Sequence, residues 1–180
     1  MDRETLKEYS VELGNIAETY YTEQFKGNES SANKIKDFVS DKVCALDLED
    51  QKVIVNYLRD SSIDVNYHQP RESTGYGIIR DVYCENLLGE FIKLSKIKLS
   101  NIQSGTFSPD SIDDKITKEL ISLPKDQFEA FNTAVENYQT PTYFEQTAKN
   151  RDEYAWSQVN QIMQQAANER NNYIPEESEL

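Results

Sequence analysis

The stretch Thr74–Leu94, TGYGIIRDVYCENLLGEFIKL, decides how the chain is read. At 100° per residue, Ile79, Val82, Tyr83, Leu87 and Leu94 fall on one stripe, which Cys84, Leu88, Phe91 and Ile92 widen. Ile78 closes much of the remainder. A helix apolar on most of its circumference is packed on several sides. The spacing therefore predicts a buried central helix over about 76–95. Its main polar seam is Asp81, Glu85, Gly89 and Lys93 at i, i+4, and the lone histidine, His68, and the pair Gly75-x-Gly77 lie just ahead of it.

Toward the N-terminus the spacing predicts a helix over Arg3–Lys26, with Asp2 as cap and Gly27 as stop. Leu6, Tyr9, Leu13, Ile16 and Tyr20 form its seam, with Glu4, Glu8 and Glu12 away from it. A turn at Asn28–Ser31 precedes a helix over Ala32–Leu46 that faces Ile35, Phe38, Val39, Val43 and Leu46 inward. Asp47 caps a third helix, Leu48–Arg59, with Ile54, Val55 and Leu58 inward and Glu49 and Asp50 complementing its dipole. Asp60–Gly77 reads as an ordered loop because of Pro70 and the glycines, and the alternation Ile63, Val65, Tyr67 within it fits a short strand.

Beyond the central stretch, 96–104 fits either a continued helix or an extended segment. A short helix follows, begun by Asp110, Ser111 or Asp113 and holding Ile116, Leu120 and Ile121. Pro124 suits the first turn of the next, to Tyr138, with Phe128, Phe131, Val135 and Tyr138 inward. Thr140-Pro141 starts a long last helix to about Arg170, striped by Phe144, Ala148, Ala155, Val159, Ile162 and Ala166. Residues 173–180 form an acidic tail expected to be disordered past Pro175. The expected fold is all-α: one domain over 1–172, a bundle of about six or seven helices around the central one.

A net charge of −13 disfavours nucleic-acid binding, which needs clustered Lys and Arg. Residues 1–30, 110–139 and 140–180 each hold seven acids and three bases, so the acid lies toward both ends. No apolar run suits a membrane span, and MDRETLKEY has no apolar signal core. Cys44 and Cys84 lack metal-ligand spacing and read as reduced thiols, which points to the cytoplasm.

Four constellations carry candidate chemistry. His68 and Arg71, with Gly75 and Gly77 at a helix start, have the residue types of an anion site; the plain alternative is a tight turn into a buried helix. Asp81 and Glu85 share a face that would suit acid–base work or a cation, yet equally the wet edge of the helix. The segment Tyr154–Asn168 is uncharged; Gln158, Gln161 and Gln165, flanked by Tyr143 and Tyr154, are side chains a contact surface tolerates. Last come the acids themselves, Glu4, Glu8, Glu12, Asp110, Asp113 and Asp114, which would steer a basic partner. No Walker loop, Gly-x-Ser-x-Gly, His-Glu-x-x-His or zinc pair is present, and one histidine makes a Ser-His-Asp machine improbable.

The leading expectation is a non-enzymatic acidic binding protein without cofactor or metal. Its most concrete form is an inhibitor or immunity-type protein masking the basic surface of a nuclease or nucleic-acid-binding protein by mimicry. The alternatives are a structural or adaptor subunit forming homo-oligomers through the last helix, and an all-α hydrolase with a site near His68 and Asp81/Glu85.

Overall fold

The structure, a computed structural model, describes residues 1–104, 111–139 and 153–172, with side chains at 1–95, 115–138 and 159–169. The described residues hold seven helices: α1 (Arg3–Phe25), α2 (Glu29–Cys44), α3 (Leu48–Ser61), α4 (Tyr76–Ser104), α5 (Ser111–Ser122), α6 (Lys125–Gln139) and α7 (Glu153–Asn172). A 3₁₀ turn, Glu72–Thr74, precedes α4. The fold is all-α, and α4 continues as helix through 96–104 rather than ending near 95. The chain divides into two compact units, Met1–Leu87 and Leu88–Leu180, with the boundary inside α4.

Local chemistry sets the helix ends of the first unit. Asp2 and Asp47 each turn a carboxylate onto the amide three residues on, accepting from the Thr5 and Asp50 N–H at 2.8 Å. Such a cap stabilises a helix by about 1 kcal/mol. Gly27, at φ 82°, ends α1 in the left-handed region, and α2 starts at once at Glu29, so the expected turn is shorter than 28–31.

α1 packs on α2, α3 and the 3₁₀ turn. Its buried line is Leu6, Ser10, Leu13, Gly14 and Ala17; Tyr9, Ile16 and Tyr20 of the expected seam are only half-buried. Small residues displace the large ones because they let the helices approach: a Cβ at Gly14 would stand 2.8 Å from Leu58 Cδ2. Ala32, Val39 and Val43 of α2 are buried, as are Ile54, Val55 and Leu58 of α3. Phe38, expected inward, is 47 % exposed with Lys42 Nζ 5.4 Å from its ring centroid, and Leu46 is half-buried beyond the helix end. Full burial of an aliphatic or Phe side chain contributes about 1.5–3 kcal/mol, and α4 supplies the longest series, from Tyr76 to Leu87 in this unit.

In the second unit Leu88, Phe91 and Ile92 of α4 are buried, as are Ile116 and Leu120 of α5, Phe131 and Val135 of α6, and Val159, Ile162 and Ala166 of α7. Phe91 and Phe131 meet at 5.7 Å between centroids, and α5 packs on α7. Ile121, expected inward, is partly exposed at the end of α5. Pro124 stands just outside α6, its carbonyl accepting from Phe128 N–H at 2.9 Å. The Thr140-Pro141 start, Phe144, Ala148 and the 173–180 tail lie outside the described residues.

Candidate functional site

The solvent side of α1 carries Glu4, Glu8 and Glu12, all exposed and one turn apart, with Glu18 also exposed further along. Four residues of helix rise about 6 Å, so this is a line of charge along one face. Lys7 Nζ reaches Glu4 Oε1 at 3.6 Å, an exposed pair of little weight. Like charges at i, i+4 destabilise a helix by a few tenths of a kcal/mol per pair, so the ridge is carried at a small cost.

Between α3 and α4 the chain builds a loop around one carboxylate. Asp64 Oδ1 accepts from the Asn66 N–H at 2.8 Å and the Tyr67 N–H at 3.4 Å, and Oδ2 accepts from Arg71 Nε at 3.0 Å and lies 2.9 Å from its terminal nitrogen. These donors, the Asn66 amide first, hold the Asp64 carboxyl below its ordinary pKa, although its partial burial works the other way. The backbone closes the ring: Asp64 N–H donates to Gln69 O, His68 N–H to Asp64 O, and Arg71 N–H to Ser62 O, each at 2.8 Å. Ile63 and Pro70 form a single antiparallel bridge; no strand forms, and Ile63, Val65 and Tyr67 are exposed rather than alternately buried. His68 takes φ 55°, a left-handed conformation costing a non-glycine residue about 1–2 kcal/mol.

The foot of the loop is a different structure. Gly75 has φ 100°, and a Cβ there would collide with the Gly14 carbonyl oxygen of α1. A Cβ at Gly77 would collide with the Tyr21 hydroxyl. Arg80, 8 % exposed, pairs with Glu72 Oε1 at 2.8 Å and Asp81 Oδ1 at 3.0 Å, its guanidinium 5.5 Å from the Tyr76 ring centroid. Burial alone would lower the Arg80 pKa, but Asp81 and Glu72 outweigh it and hold the group charged. The Tyr21 phenol is pushed far up by burial and by the same two carboxylates. Ser62 and Thr74 hydroxyls, 2.7 Å apart, tie the two ends of the loop together.

The polar seam of α4 is where the pattern placed it. Asp81, Glu85, Gly89 and Lys93 are all exposed. Glu85 has its pKa raised, chiefly because the protein takes part of its carboxyl's hydration; Lys36 opposes the shift and Asp81 adds to it. A Cβ at Gly89 would meet nothing within 4 Å, so no neighbour uses that gap. Beside the seam, Asn86 Nδ2 donates to Gln51 Oε1 at 3.0 Å and Gln51 Nε2 to Leu46 O at 2.9 Å, satisfying a buried amide.

The expected residues are thus distributed, not gathered. His68 and Arg71 stand in the Asp64 loop, with the Arg71 charge matched by Asp64; Gly75 and Gly77 serve the close approach to α1. A shallow depression of about 380 Å³ includes Ser61, Ser62, Asp64, Asn66, Arg71 and Thr74, but not His68, Asp81 or Glu85. Among the described residues no three of His, Cys, Asp and Glu are grouped as metal ligands would be. Compared with protein-family models, curated proteins and solved structures, the chain matches none.

Gln161 and Gln165 of α7 are exposed. Asp110 and Tyr143 lie outside the described residues, as do the side chains of Asp113, Asp114, Tyr154 and Gln158. No described helix is long and apolar enough to cross a membrane. Sequence reasoning missed Asp64 as the hub of the loop and Arg80 as the hub of its foot. The first left a faint signal, since Asp-x-Asn is turn chemistry; the second left an arginine in an otherwise apolar turn.

Proposed function

We propose that the chain is an acidic binding protein that covers a basic surface of another macromolecule. Its most concrete form is an inhibitor or immunity-type protein acting on a nuclease or nucleic-acid-binding protein. The observation that carries this reading is the exposed line Glu4, Glu8 and Glu12 on α1, in a chain of net charge −13. A one-sign ridge raises the association rate with an oppositely charged face and repels nucleic acid itself. The test compares proteins retained by the native chain and by Glu4→Gln/Glu8→Gln/Glu12→Gln at low and high salt. Basic proteins held at low salt and released by salt or by the triple change support the reading. Equal retention by both chains at every salt concentration removes it.

A second reading, a subunit that oligomerises through α7, is favoured by the exposed amides Gln161 and Gln165, which cost less to desolvate than charged groups. Sedimentation equilibrium decides it: a concentration-independent monomer mass excludes it.

A further inference from the structure

Helices that follow one another in a compact unit are commonly joined by about two to eight residues. Residues 62–75 are a longer connection, and the excess is not slack. It is ordered from within by Asp64, Arg71 and three backbone hydrogen bonds, and its ends are tied by Ser62 and Thr74. Its foot is pressed onto α1 at Gly75 and clamped by Glu72 to Arg80. Among what this order displays are two apolar side chains, Val65, 83 % exposed, and Tyr67, 76 % exposed, beside the exposed polar residues Asn66, His68 and Gln69. Two large side chains held in water at the tip of an ordered loop do nothing for the core of their own chain.

We propose that this loop is a preformed recognition element that seats Val65 and Tyr67 in an apolar pocket of a protein partner with a basic rim. The proposal rests on the acidic-binding reading and narrows where such a partner would be gripped. An ordered loop has already lost the conformational entropy that binding would otherwise take, and Tyr is among the side chains that dominate interface energetics. The rim is inferred from charge: Asp64 and Arg71 match within the loop, Glu72 and Asp81 share the one covered Arg80 at its foot, and Asp60 is exposed, in a chain of net charge −13. An excess of anions at the base of the loop favours cations around the pocket that receives its tip.

The test uses the full chain carrying the photoreactive residue p-benzoylphenylalanine at position 67, or at exposed position 41 of α2 as control, irradiated in the cells that produce it. A protein linked through 67 and not through 41 is purified and titrated with the native chain, Tyr67→Ala, Val65→Ala, Tyr67→Phe and the triple Gln variant of α1. The expected result is a loss of affinity of at least about thirtyfold for Tyr67→Ala. Val65→Ala should bind more weakly than the native chain, Tyr67→Phe should bind nearly as well, and the helical circular dichroism should not change. Absence of any protein linked through 67, linkage to nucleic acid, or equal binding by Tyr67→Ala overturns the proposal. If Tyr67→Ala fails while the triple Gln variant binds as the native chain at every salt concentration, the loop stands and the acidic reading falls. The reverse pattern sinks the loop and leaves that reading standing.

Discussion

The loop 62–71 and its foot, Glu72–Arg80, are adjacent in sequence and stabilised by opposite means. The loop is organised by a carboxylate that collects hydrogen bonds in contact with water, and it leaves Val65 and Tyr67 outside. The foot is organised by absence of side chain: Gly75 and Gly77 let the backbone press on α1, and a covered Arg80 joins the turn to the helix. Read as sequence, the two merge into one glycine-rich segment with His and Arg, the residue types of an anion site. In the fold they separate into a displayed surface and a packed joint, so the same glycines that suggest a ligand belong to the joint.

That contrast can be broken most sharply at Gly75. Gly75→Ala puts a Cβ against the Gly14 carbonyl and forces a side chain into the left-handed region. Strain and overpacking together should cost about 3 kcal/mol, read as a lower denaturant midpoint with unchanged slope. An unchanged midpoint would mean the foot is not packed as described. Arg80→Met comes next: Glu72 and Asp81 keep much of their hydration, so only the covered cation and its bonds are lost. About 2 kcal/mol of destabilisation is expected in the same assay.

Gly89→Ala tests the converse, a glycine that no contact requires. It sits in a helix with open space around it and should stabilise by about 0.5–1 kcal/mol, seen as a raised melting temperature. A destabilised variant would reveal a neighbour at the seam. The smallest global effect belongs to Asp64→Ala, which should leave the melting temperature almost unmoved while the amides of Asn66, Tyr67, His68 and Arg71 exchange with solvent faster. The pH dependence has a definite sign, because the folded pKa of Asp64 is depressed. Its contribution is complete above the ordinary Asp value and is lost as pH falls through the folded value. Protection of those amides in the native chain should therefore fade on acidification below the ordinary Asp range, and in Asp64→Ala it should be absent throughout. Equal protection in both chains would show that the backbone bonds alone hold the loop.

How much was legible follows from the range of each interaction. Asp2 and Asp47 could be read as caps because a cap acts on an amide three residues away. Gly27 could be read as a stop because left-handed geometry at a helix end is a property of one residue. The exposed line Glu4, Glu8 and Glu12 followed from period alone, as did the seam Asp81, Glu85, Gly89 and Lys93. Phe38 could not be placed, since an apolar residue near the edge of a buried stripe is inside or outside according to the neighbouring helix. The α1 seam slipped for the same reason: hydrophobicity favours Tyr9 and Ile16, whereas close packing favours Ser10 and Gly14. The alternation Ile63, Val65, Tyr67 suggested a strand, but a strand needs a partner to pair with, and only one bridge forms.

The sequence by itself determined the all-α class, the caps Asp2 and Asp47, the stop at Gly27 and which sides of α1 and α4 meet water, because those depend on local propensity and on the period of apolar residues. Only the tertiary structure decided that Gly75 and Gly77 serve contact with α1, that Asp64 rather than His68 is the centre of its loop, and that Arg80 is a covered clamp. Each of those roles depends on how closely chain segments pack and which partner atoms packing brings within hydrogen-bond reach, and residue spacing along a helix carries no record of either.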